Sequence, residues 1–65
     1  MKVRFFETID RGVERIEREL PTITMSHIPR IGEYVYFFNT SKEYLVTKVT
    51  YDLIEDTVMI NIKSA

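Results

Sequence analysis

The sequence predicts an all-β domain, a small antiparallel barrel of about five short strands. Three observations point there. Runs rich in Val, Ile, Thr, Tyr and Phe alternate apolar with polar residues at a period of two. Small-residue clusters that favour turns separate these runs. The longest run changes parity midway, so one strand must bend strongly, and a bent strand helps a short sheet close on itself and hide its edges.

The elements follow in order. Val3 and Phe5 alternate with Lys2, Arg4 and Phe6, giving a first strand over residues 2–8. Residues 9–20 allow two readings. Asp10-Arg11-Gly12 suits a three-residue hairpin loop with Gly at the left-handed position, and Ile16, Arg18 and Leu20 then alternate with Glu17 and Glu19 along a second strand. Ile9, Val13, Ile16 and Leu20 also form a helical stripe that Pro21 would end, although Gly12 would cost such a helix about 1 kcal/mol. The hairpin completes the barrel. The helix gives the alternative, an α+β domain with residues 9–20 packed on a three- to four-stranded antiparallel sheet.

Residues 22–28 form a short strand or an extended connector. Pro29 holds Ile28 extended, and Gly32 suits a turn position with positive φ. Residues 33–38 make a strong strand, with Val35 and Phe37 on one face and Tyr34, Tyr36 and Phe38 on the other. Asn39-Thr40-Ser41-Lys42 is a turn. Over residues 44–53, a bulge near Thr47-Lys48 puts Tyr44, Val46, Val49 and Tyr51 on one side. Glu55-Asp56 is a tight turn, and Val58, Ile60 and Ile62 mark the last strand. Lys63-Ser64-Ala65 is expected to fray. The predicted core is Val3, Phe5, Val35, Phe37, Val46, Val49, Val58, Ile60 and Ile62.

Ile28-Pro29-Arg30-Ile31-Gly32-Glu33-Tyr34-Val35, followed by Tyr44-x-Val46-x-x-Val49-x-Tyr51, resembles the Pro-x-x-Gly-[Asp/Glu]-x-Val and Tyr-x-Val-x-x-Val motif of small SH3-like barrels. The resemblance covers residues 28–62, about half the chain. Short proteins of this pattern are frequent among phage and mobile-element accessory proteins. It implies a turn into a strand at the Pro and Gly, and therefore an architecture; it implies no activity.

Composition narrows the function. One domain, residues 1–65, is the ceiling at this length, and about 60% of its surface is buried on folding. With no Cys there is no disulfide framework and no thiolate zinc site. His27 is the only imidazole and has no ligand-spaced companions, so no metal or cofactor is expected. The two glycines lie 20 positions apart in sequence, which rules out a phosphate-cradling loop, and no nucleophile elbow surrounds Ser26, Ser41 or Ser64. The sequence therefore predicts a protein that is not an enzyme. No stretch approaches the ~20 apolar residues of a membrane span, and the N-terminal segment turns acidic too early for a signal peptide, so the cytoplasm is expected.

The run Glu14-Arg15-Ile16-Glu17-Arg18-Glu19 alternates in sign, as a solvated face or a charged edge does. Tyr34, Tyr36, Phe38, Tyr44 and Lys48 are the candidate partner-binding residues, aromatics interleaved with basic groups. They suit a non-catalytic protein-interaction module. The alternative is a small nucleic-acid-binding barrel that stacks bases on these rings beside Arg30, Lys42 and Lys48, against which a net charge of −1 weighs. A homodimer is the third arrangement, because a chain so short of core has apolar surface to cover.

Overall fold

A computed structural model describes all 65 residues. It holds six strands and no helix: β1 (Lys2–Arg11), β2 (Glu14–Glu19), β3 (Ile23–Thr24), β4 (Tyr34–Phe37), β5 (Lys42–Asp52) and β6 (Thr57–Ser64). They form one sheet in the order β2-β1-β6-β5-β4, with β3 beside the start of β1. The fold is all-β, and the helical reading of residues 9–20 is set aside. The stripe of Ile9, Val13, Ile16 and Leu20 was coincidental, because Gly12 at φ +69° breaks the segment into a hairpin.

That hairpin is tighter than the sequence suggested. Arg11 pairs with Glu14, so the loop is Gly12-Val13 alone, with positive φ at its first position only. This is the pattern of a II′ turn, which matches strand twist where a type I turn would splay the strands. β1 accordingly runs three residues beyond its expected end.

The sheet is not wholly antiparallel. β1 and β6 pair in parallel, Val3 beside Val58 and Phe5 beside Ile60. A parallel pair needs a crossover, and the chain supplies one. After β3, residues 25–33 carry it to β4 at the far edge, and β5 and β6 then return toward β1. No ladder joins β2 or β3 to β4, so the sheet is open along its hydrogen-bonded path. It is nevertheless strongly curled. β1 and β4 stand three strand spacings apart, roughly 14 Å in a flat sheet. Yet the Phe5 and Phe37 rings meet edge to face with centroids 4.9 Å apart.

The concave side holds the core: Val3, Phe5, Leu20, Phe37, Tyr44, Val46, Val58, Ile60 and Ile62, with Met25, Ile28, Val35 and Val49 partly buried against it. Val35 and Val49 are thus less enclosed than expected, and Leu20 and Tyr44 more so. The β5 register shifts between Val46 and Lys48, as the parity change required. Through that bulge Tyr44, Val46, Val49 and Tyr51 all fall on the concave side, opposite Ser64, Ile62, Ile60 and Val58. The C-terminal segment does not fray: Lys63 and Ser64 belong to β6, and the Ala65 N–H donates to the Glu43 carbonyl at 3.1 Å.

Candidate aromatic edge

The turn before β4 sets the geometry of the site. The Glu33 N–H donates to the Arg30 carbonyl at 3.0 Å, and the Arg30 N–H donates to the Glu33 carboxylate at 2.7 Å. Gly32, at φ +90°, takes the left-handed position this turn needs. The Gly32 N–H then bonds the Val46 carbonyl and the Val46 N–H bonds the Glu33 carbonyl, both at 2.9 Å, which anchors the turn to β5. Buried Pro29 stiffens the approach.

From Glu33 onward the antiparallel alternation is fixed. Val35 and Phe37 take the hydrogen-bonded positions opposite Tyr44 and Lys42. Tyr34 and Tyr36 therefore turn their backbone N–H and C=O groups away from β5, toward an edge that pairs with no strand. Their side chains lie on the convex face, opposite Leu45 and Glu43. Tyr34 is 60% exposed, Tyr36 59% and Phe38, just beyond the strand, 90%. Phe38 begins a turn closed by Thr40 and Ser41, whose N–H groups donate to the Phe37 and Phe38 carbonyls at 3.2 Å.

Two expected members do not join this row. Tyr44 is fully buried, packs edge to face on Phe37 with centroids 5.7 Å apart, and donates its hydroxyl to the Thr40 Oγ1 at 3.3 Å. Its parity, set by the bulge, makes it a core residue. Lys48 is exposed on the convex face, but it lines a separate hollow with Phe6, Glu17, Thr50, Met59 and Asn61. The stripe is thus Tyr34, Tyr36 and Phe38, with acidic Glu43 across from Tyr36.

Elsewhere on the convex face, the Arg4 guanidinium grips Glu19 with two hydrogen bonds, of 2.8 and 3.0 Å, and stands 5.1 Å from the centroid of the Phe6 ring. Hydrogen bonding from Arg4 holds the Glu19 carboxyl below the usual carboxylate range, and the same bond raises Arg4. On the concave side Glu7 is buried, and Arg18 donates to it at 2.7 Å. Arg11, Lys42 and Lys63 line the same cleft of about 480 Å³. Of these, Lys42 pairs with Phe37 and Lys63 with Leu45, so the cluster reaches from Glu7 to the β4 end of the sheet.

Sequence reading missed one further concavity. His27, Ile28, Ile31, Val49 and Tyr51 line an open cleft of about 570 Å³ where the crossover passes over β5. Its walls come from segments that only the crossover brings together, so no local pattern marks it. No group of His, Asp and Glu side chains is arranged to hold a metal ion. No helix is long and apolar enough to cross a membrane. The chain matches no protein-family model, no curated protein and no solved structure.

Proposed function

We propose that this chain is a non-catalytic protein-interaction module whose β4 edge receives an extended peptide segment of a partner protein. The observation that carries this reading is the coincidence of two features on three residues. Tyr34 and Tyr36 offer outward-facing backbone groups on an unpaired edge, and with Phe38 they offer three exposed rings on one face. Strand addition takes affinity from main-chain hydrogen bonds and specificity from alternate side chains. Aromatic rings serve as rigid anchors in such contacts. Glu43, opposite Tyr36, favours a segment that alternates apolar with basic residues.

The same acidic neighbour weighs against the second reading, a nucleic-acid-binding barrel. Bases stacked on Tyr36 would bring phosphates toward Glu43, while Arg11, Arg18, Lys42 and Lys63 line the cleft at Glu7. The SH3-like barrel remains part of the proposal, supported by the motif, the left-handed Gly32, the bulge beside Thr47 and the curl that joins Phe5 to Phe37. An accessory protein of the phage or mobile-element type, acting in the cytoplasm on a host protein, is the setting this resemblance suggests.

Panning a displayed peptide library tests the reading. Selected peptides should be extended and basic-apolar, and they should slow hydrogen exchange at the Tyr34 and Tyr36 amides. Ligands that protect amides elsewhere would overturn the site. Tight binding of oligothymidylate at ~0.15 M salt, lost in Tyr36→Ala, would establish the stacking reading instead.

A further inference from the structure

At the opposite end of the strand order from β4, the geometry points to a self-recognition edge: β2 pairs antiparallel with β2 of a second copy about a two-fold axis at Ile16. All six residues of β2 are exposed, and its outer edge pairs with no strand. The Leu20 N–H donates to the Phe5 carbonyl at 2.9 Å, and Phe6 faces Glu19. In the antiparallel alternation this makes Arg15, Glu17 and Glu19 the residues whose backbone groups face outward.

The outward groups restrict which registers two copies can adopt, because only odd-numbered residues can exchange ladder hydrogen bonds. Centred on Ile16, every charged residue of the run from Glu14 to Arg18 meets its opposite: Arg15 faces Glu17 of the second copy, Glu14 faces Arg18, and Ile16 faces itself. Centred on Arg15, like charges meet at Arg15. Centred on Glu17, two Glu17 carboxylates meet. Centred on Arg18, Glu17 meets Glu19. Like charges placed directly opposite destabilise a strand pair and opposite charges stabilise it, so a single register survives. Charge alternation on an edge usually discourages pairing. Here the sign reverses between positions equidistant from Ile16, and that antisymmetry makes the edge self-complementary.

The contact groups are free to form these pairs. Glu14, Arg15 and Glu17 enter no salt bridge within the chain, since the pairs formed are Arg4–Glu19 and Arg18–Glu7. Arg18 donates to Glu7 through one terminal nitrogen, which leaves guanidinium donors for Glu14 of the second copy. The two-fold would bury the Ile16 side chains against each other on the side that carries Ile9, with which Ile16 already pairs. A closed, isologous contact of this kind stops at two copies. It leaves both β4 edges free, so the dimer would present two aromatic stripes.

Sedimentation velocity across a concentration series, at low and high salt, tests this on the full chain. The expected result is a concentration-dependent dimer that weakens with salt. Arg15→Glu or Glu17→Arg alone places like charges opposite each other twice, and each should weaken dimerisation by about tenfold or more. The double variant Arg15→Glu/Glu17→Arg restores both pairs and should restore the dimer. Circular dichroism confirms that each variant folds. A chain that stays monomeric at its solubility limit, a dimer indifferent to either single change, or a double variant that fails to recover would each overturn the proposal.

Discussion

Gly32 and Glu7 carry the sharpest consequences for single residues. A Cβ at Gly32 would meet no atom within 4 Å, so steric crowding plays no part in the need for glycine there. The left-handed backbone alone makes Gly32→Ala unfavourable, by about 1–2 kcal/mol, measurable as a lower denaturation midpoint. An unchanged midpoint would remove the turn that aims β4. Arg18 is half exposed, but it is the hydrogen-bond partner of the buried Glu7 carboxylate. Arg18→Ala leaves that carboxylate short of a donor and should cost about 1–3 kcal/mol by urea unfolding. The Arg4–Glu19 pair adds a pH dependence. Because folding depresses the Glu19 carboxyl, its contribution is fully present above the ordinary glutamate value of about 4.3 and is lost as pH falls through the depressed one. The stability gap between the natural chain and Glu19→Gln should therefore hold from neutral pH and close only in acid. A gap that widened in acid would contradict the pairing.

Among the elements, the strands were the most legible part, because period-two alternation depends only on which face is buried. The bulge was legible too, since Tyr44, Val46, Val49 and Tyr51 share a face only if one residue between them is extra. That same parity sets Tyr44 on the face of Val46 and Val49, yet grouping the aromatics by proximity in sequence put it with the surface rings and left it out of the predicted core. The hairpin of β1 and β2 was ambiguous for a physical reason. β2 is an exposed edge, so its residues carry no burial pattern to separate period two from 3.6. At this scale Ile60→Ala tests the register. Ile60 is fully buried between Phe5 and Val49, and truncation should cost about 2–5 kcal/mol. A 65-residue domain holds only about 3–10 kcal/mol in all, so the variant should be largely unfolded at 37 °C. A cooperative melt near that of the natural chain would show the register to be wrong.

The whole molecule was the least legible. The parallel pairing of β1 with β6 depends on a crossover whose residues, 25–33, show no periodicity of their own. Pro29 and Gly32 punctuate it, but local punctuation does not say which edge of the sheet the chain returns to. The aromatic stripe was readable as three same-parity rings, whereas its acidic neighbour came only with the register that sets Glu43 beside Tyr36. The fold thus separates the stripe from the core: Val35 and Phe37 face inward, and Tyr34, Tyr36 and Phe38 face solvent. A recognition surface built this way can be deleted without unfolding the domain. Titrating a selected β4-edge peptide into Tyr36→Ala/Phe38→Ala, with a thermal melt of the same sample, tests this most directly. The account predicts a cooperative melt close to that of the natural chain and loss of peptide binding. Retained binding, or a protein that no longer melts cooperatively, would contradict it.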